Sequence, residues 1–215
     1  MKTLAIISQK GGSGKTTIAV HMAVCAAQRN IKTALIDIDP QHSAFSWNES
    51  RLEGRRLDAV AADAGQLAAL LQQAHAAGVE LTIIDTAPHS TGEAAVAAKL
   101  ADCILIPCRP ARFDLDAIAS TLEIAKAANT PAAVVINSAG TRGPLADEAR
   151  AALTGQGATV VETVLHQRVA YSHAVIDGRS VHEYEPEGAA AAEIDDLYNH
   201  ITRLYGLLER KSKAA

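Results

Sequence analysis

Several features are scarce in this chain, and each scarcity narrows what it can be. It has three cysteines, Cys25, Cys103 and Cys108, an odd number in apolar surroundings with no Cys-x-x-Cys pair. Buried free thiols in a reducing compartment are expected, rather than disulfides or metal ligands. No apolar run approaches the roughly 18 residues of a membrane span. The N-terminus enters a glycine-rich loop almost at once, which leaves no room for a signal peptide. These two absences predict a soluble, cytoplasmic protein. Neither sign of charge dominates: 20 Lys and Arg stand against 24 Asp and Glu, a net charge of −4. Any contact with nucleic acid must therefore come from a local basic patch. Aromatics are only 3%, so the abundant alanines point to closely packed helices. No Ser/Gly-rich linker and no internal repeat divides the chain.

What is present is a 215-residue chain, 48% hydrophobic, long enough to bury a sizeable core as one domain spanning 1–215. Short apolar runs at 3–8, 32–37, 57–62, 80–85, 102–108, 132–137 and 158–163 read as strands. Between them, apolar residues at three- and four-residue spacing predict helices over 15–29, 65–77, 114–128 and 144–154. Strands apolar on both faces and joined by helices imply an α/β fold: a doubly wound, mostly parallel sheet with helices on both faces. A long helix over 188–210 closes the chain, and about 209–215 is expected to be a flexible basic tail.

Directly after the first strand comes Gln9-Lys-Gly-Gly-Ser-Gly-Lys-Thr-Thr17, with a helical pattern starting at Lys15. Strand, glycine loop and helix N-terminus form an anion trap: backbone N–H groups converge and the helix dipole favours negative charge. Gly11, Gly12, Ser13, Gly14, Lys15, Thr16 and Thr17 make up the cradle, with Lys15 reaching the β- and γ-phosphates and Thr16 offering its hydroxyl to Mg²⁺. The common pattern G-x-x-x-x-G-K-[ST] requires glycine at position 9, where this chain has Gln9. The stretch instead matches the variant K-G-G-x-G-K-T-[TS] in full. In this it resembles the ParA/MinD superfamily of deviant Walker A P-loop ATPases. That resemblance implies a P-loop NTPase fold with ATP and Mg²⁺ as cofactors. It also implies that Lys10 crosses a dimer interface to the partner's nucleotide, as an arginine finger does elsewhere.

Further motifs extend the resemblance. The second strand ends Asp37-Ile-Asp39-Pro-Gln, two acids on one side of a strand that Pro40 stops. By resemblance to the family's D-x-D-P-Q segment, Asp39 positions or activates the attacking water, while Asp37 supports the metal shell and the adjoining switch. The fourth strand closes on Asp85 within Ile-Ile-Asp-Thr-Ala-Pro, similar to a Walker B motif in which the acid holds Mg²⁺. An acid in that place can also cap the helix that follows. Asn137, ending Ala-Val-Val-Ile-Asn, corresponds to the asparagine whose amide reads adenine. His89 carries no signal favouring catalysis over a polar loop. The stretches 104–118 and 169–197 are similar to the family's dimer-face and C-terminal regions. The resemblance runs from residue 2 to about 208 and is thinner over 48–78 and 140–165.

Within the superfamily, the iron–sulfur members need paired cysteines that this chain lacks. MinD-type members end in a helix lying on a membrane. Here Ile194, Leu197, Ile201, Leu204 and Leu208 form a stripe, but Glu193, Asp195 and Asp196 crowd its start, which suits docking on the sheet better. Enzymes related to dethiobiotin synthetase need no D-x-D-P-Q segment. Small ParA-type ATPases fit best. The resemblance then implies a slow, partner-stimulated ATPase that dimerises on ATP and binds nonspecific DNA. Its output would be segregation of plasmid or chromosome DNA, or positioning of a cargo. No separate N-terminal DNA-reading domain is expected, since the first strand begins near residue 3. Expected partners are a second copy of the chain, DNA and an activating adaptor, ParB-like or cargo-bound, with no stable membrane contact. The expected location is the cytoplasm, and the nucleoid when ATP is bound. Arg203, Arg210, Lys211 and Lys213, offset by Glu209 alone, are the candidate DNA contacts. A basic terminus of this kind also serves solubility.

Overall fold

In the computed structural model, residues 1–206 are described, Asp116 by its backbone alone. Seven strands, β1 (Lys2–Ile6), β2 (Thr33–Asp37), β3 (Asp58–Ala61), β4 (Leu81–Asp85), β5 (Cys103–Cys108), β6 (Ala132–Ala139) and β7 (Val160–His166), form one sheet. Their order is β3-β2-β4-β1-β5-β6-β7, and every neighbouring pair is parallel. Parallel neighbours require crossovers, so helices must cover both faces. Helices α1 (Lys15–Gln28) and α2 (Ser43–Glu49) lie on one face. The chain then crosses to the other with α3 (Leu67–Ala76), α4 (Thr91–Leu100), α5 (Arg112–Ala128) and α6 (Leu145–Gly155). Finally α7 (Val169–Ile176), α8 (Val181–Tyr184) and α9 (Ala189–Tyr205) return to the first face.

The two-residue period of a strand divides the core. In β1, Leu4 and Ile6 pack under α1 and α9, while Ala5 joins Ile84, Ile104 and the α3–α5 layer. All of these are buried, which is why the strands read as continuous apolar runs. Register aligns Asp37 and Ile6 with Asp85, so the carboxyl ends of three adjacent strands lie side by side. At the centre, chain order reverses: β1 sits between β4 and β5. Ligand crevices open at this point in doubly wound sheets.

The helices missing from the sequence reading are α2, α4, α7 and α8. The reason is clearest in α4, whose buried face is Ala94, Ala97 and Ala98, a stripe too small in volume to register as periodic hydrophobicity. β7 starts two residues and ends three residues later than expected. Gly157, at φ 82°, turns the chain before it, and two register shifts against β6 carry the pairing to His166. The expected terminal helix stops at Tyr205, capped by Gly206 at φ 59°. The rest of that helix and the expected basic tail lie outside the described residues.

The cysteines are free and buried, as expected, and burial pushes each thiol up to about 12. Cys25, His182 and Asp195 converge within 4.8 Å of one another. Arg29 already holds the Asp195 carboxylate at 2.9 Å, and its positive charge opposes a cation there. The cluster instead ties α9 to α1 and α8. On α9, Ile194, Leu197 and Ile201 are fully buried against the sheet layer. No helix among the described residues is long and apolar enough to cross a membrane.

Candidate functional site

The loop between β1 and α1 is shaped by glycines that no other residue replaces easily. Gly12 has φ 69° and Gly14 φ 97°, both left-handed. Gly14 is the N-cap of α1, with no side-chain cap and no acid in the first turn, so the first amides of α1 stay free for an anion. Asn137, near the carboxyl end of β6, packs directly on this turn, its Nδ2 donating to the Ser13 carbonyl at 2.6 Å. The loop is tied down elsewhere by Gln9 N–H to Thr121 Oγ1 at 3.2 Å and Lys10 N–H to Ser8 Oγ at 3.3 Å.

Around this loop opens a cleft of about 840 Å³. Gly11, Gly12, Gly14, Lys15, Thr16 and Thr17 form one wall, with Asp39 and Asn137 beside them. Lys15 is only 6% exposed, and burial lowers its pKa while the charges of Asp85 and Asp39 pull it back up. Its Nζ lies 3.5 Å from the Lys10 carbonyl, so the ammonium folds back over the start of the loop. Asp85 is completely buried. Thr16 faces it, yet neither carboxylate oxygen has a partner in ordinary hydrogen-bond geometry among the described residues. Burial pushes its pKa up to about 7, and the nearby charge of Asp37 adds to this. A buried carboxylate with both oxygens orphaned, beside a threonine hydroxyl at a phosphate loop, suits a hard divalent cation such as Mg²⁺.

Asp37, also completely buried, is differently engaged. Its oxygens accept the Asp39 N–H at 3.0 Å and the Phe45 N–H at 3.0 Å. It therefore braces the turn that carries Asp39 and leads into α2, the switch side of the role expected of it. Asp39 is half-buried in the cleft, and its Oδ1 accepts the Gln41 N–H at 2.9 Å. Lys10 does not line the cleft. His89 places its Nε2 about 3.6 Å from where a Gly11 β-carbon would sit. Arg203 is exposed near the end of α9, its Nε donating to the Asn199 carbonyl at 3.3 Å. Arg210, Lys211 and Lys213 lie outside the described residues.

The opposite wall escaped the sequence reading. It comes from the end of β7 and from α7, including His166, Arg168, Tyr171 and Ile176. Glu193 of α9 knots it together. One of its oxygens meets His166 Nδ1 at 2.6 Å and Arg168 Nη2 at 2.6 Å, and the other accepts the Tyr171 hydroxyl at 3.1 Å. The available signal was positional: these residues follow a strand's carboxyl end, where crevice residues collect. Arg109, just after β5, was missed in the same way.

Burial sets two pH responses of opposite sign. His21 of α1 is fully buried, and that burial lowers its pKa to about 3. The unfolded chain binds that proton more readily, so His21 costs stability as pH falls from about 6.5, by roughly 1.4 kcal/mol per unit. Asp85, raised to about 7, acts oppositely: the folded chain binds its proton more tightly, so stability rises as pH falls from about 7 towards 4. The ligand-free protein should thus show a shallow profile over pH 4.5–6.5. Asp85→Asn should unmask the His21 loss as a steeper fall, read by urea unfolding at each pH. Identical slopes in both proteins would refute this balance.

A family profile described as CobQ/CobB/MinD/ParA nucleotide binding domain matches residues 4–181. The chain is 30% identical to maintenance of carboxysome distribution protein A of Halothiobacillus neapolitanus over 212 residues, 93% of this chain and 95% of that protein. It is 26% identical to the chromosome-partitioning ATPase Soj of Thermus thermophilus, covering 89% of this chain and 91% of that one. The fold is shared with Aquifex aeolicus MinD at TM-score 0.76 and 17% identity, covering 96% and 98% of the two chains. It is shared too with a Cyanothece McdA variant in complex with ATP, at TM-score 0.73 and 18% identity over 99% of each. The chain belongs to the ParA/MinD family of P-loop ATPases.

Proposed function

We propose that this protein is a ParA-type ATP-dependent dimerisation switch that positions a cargo, or segregates DNA, over a nonspecific DNA matrix. The observation that carries the reading is the convergence of Lys15, Asp39 and the orphaned carboxylate of Asp85 on one phosphate loop. The free amides of α1 take the phosphate chain and Lys15 neutralises its β/γ end. Thr16 and Asp85 hold Mg²⁺, which when bound offsets charge on the phosphate oxygens. Asp39 stands on a turn braced by Asp37 and orients the attacking water, accepting its proton. Asn137 spends its Nδ2 on Ser13 and keeps Oδ1 for the exocyclic amine of adenine. Lys10, which does not line its own cleft, acts in the partner's site, so ATP is turned over only in the dimer. An adaptor speeds hydrolysis and the dimer dissolves.

The choice of DNA over a lipid surface is supported by α9, which spends Ile194, Leu197 and Ile201 of its apolar stripe on the core and leaves Leu204 exposed. It is supported also by the full-length similarity to a carboxysome-distribution protein and a chromosome-partitioning ATPase. Sedimentation of Asp39→Ala with ATP, with ADP and without nucleotide, each with and without a random-sequence duplex, tests the reading. The expected result is a dimer with ATP alone that carries the duplex and sheds it as salt rises. An ATP dimer that ignores DNA but pellets with anionic vesicles would replace it with a MinD-type membrane switch. A monomer under every condition would refute the switch itself.

A further inference from the structure

The β5–α5 junction brings a guanidinium to the phosphate loop from the side opposite Asp85. β5 is the neighbour of β1 on the far side from β4, so the residue after its last position enters the central crevice. That residue is Arg109. Its carbonyl accepts the Ala111 N–H at 2.8 Å and the Cys108 thiol at 3.3 Å, which fixes the root of the side chain in a turn. The side chain lines the cleft, and its Nη2 lies 3.7 Å from where a Gly12 β-carbon would stand. Arg168, the other guanidinium of the cleft, is spent on Glu193. Arg109 has no carboxylate within 4.0 Å among the described residues.

The position of Gly12 decides which phosphate this group would meet. Lys15 Nζ folds back to the Lys10 carbonyl, so the β/γ end of a phosphate chain lies by Lys10–Gly12, at the start of the loop. A guanidinium offers a planar fork that matches two oxygens of a terminal phosphate, where an ammonium offers a point charge. Resting on the nucleotide-binding reading above, we propose that Arg109 grips the terminal phosphate of the nucleotide bound in its own protomer. It thereby makes the cleft select the triphosphate over the diphosphate. Lys15 binds both nucleotides from inside the loop; Arg109 reads the phosphate that distinguishes them.

Calorimetric titration of the wild type, Arg109→Ala and Arg109→Lys with ADP and with a non-hydrolysable ATP analogue tests this. Loss of one charge-assisted, forked contact should weaken the analogue about 10- to 100-fold in Arg109→Ala and ADP by less than about threefold. Arg109→Lys should recover only part of the loss. The exposed position of Arg109 predicts an unchanged melting temperature, so misfolding would not imitate the result. Wild type that binds both nucleotides, with Arg109→Ala unchanged or weakened equally for both, overturns the role of Arg109 alone. Wild type that binds neither nucleotide overturns the nucleotide reading and this inference with it.

Discussion

Replacing Arg51 by methionine should lower the unfolding free energy by about 3–5 kcal/mol, the cost of stranding a buried carboxylate. Arg51 and Glu183 are 2% and 10% exposed at their side chains and meet at 2.8 Å. Every nitrogen of the guanidinium is engaged: besides the Nη2 contact, Nη1 reaches Glu183 Oε2 and the Gly178 carbonyl, each at 3.0 Å, and Nε donates to the Arg55 carbonyl at 2.7 Å. Its plane sits 4.6 Å from the Trp47 ring centroid. Glu183 in turn accepts the Ser180 N–H at 2.7 Å, completing the cap of α8. Without Arg51 this carboxylate loses its counter-charge in a place water hardly reaches. For a chain of this size the loss corresponds to a melting temperature lower by roughly 10 °C. Arg51→Lys, which keeps the charge but not the fork, should fall between. The double variant Arg51→Met, Glu183→Leu should regain much of the loss, because it removes both charges and fills the space. Urea unfolding of the four proteins decides the matter, and Arg51→Met within 1 kcal/mol of the wild type would contradict the account. The pair also joins the segment after α2 to α8: α2 begins four residues after Asp39, and its Phe45 N–H is held by Asp37.

Gly14→Ala should weaken nucleotide binding by at least about 100-fold and destabilise the free protein by about 2–4 kcal/mol. At φ 97° the backbone is one that alanine adopts only under strain. A β-carbon there would fall 2.2 Å from Asn137 Nδ2, inside any real contact distance. The amide must leave, and the Ser13 carbonyl loses its donor. The turn that aims the first amides of α1 then opens. Gly11→Ala is the matched control, since its added carbon meets His89 at 3.6 Å, ordinary contact, and its φ is not positive. Calorimetric titration with ADP should separate the two variants. Gly14→Ala binding within tenfold of Gly11→Ala would refute the locking role given to Asn137.

Much of the site was legible because its demands are local. A glycine loop between a buried strand and a helix is readable in nine consecutive residues, and acids at strand ends announce themselves after an apolar run. Asp37, Asp39 and Asp85 were found in this way, and parallel register then set Asp37 beside Asp85. The wall formed by His166, Arg168 and Tyr171 was not legible, because its chemistry is a knot around Glu193, some 22 to 27 residues further on. Small-residue helices such as α4 were equally silent, since alanine fills a close helix–sheet contact without marking a period.

By itself, then, the sequence determined the fold class, the phosphate loop and the acids that face it, because strand burial, glycine dihedrals and strand ends are properties of contiguous residues. Tertiary structure alone decided how those parts are used. It sends Asn137 to a carbonyl 124 residues away, pairs Arg51 with a carboxylate 132 residues away, and stands Arg109 over Gly12. Such contacts depend on which strands neighbour one another and on which buried polar groups are left seeking partners. Chain order does not carry that information; the packed sheet does.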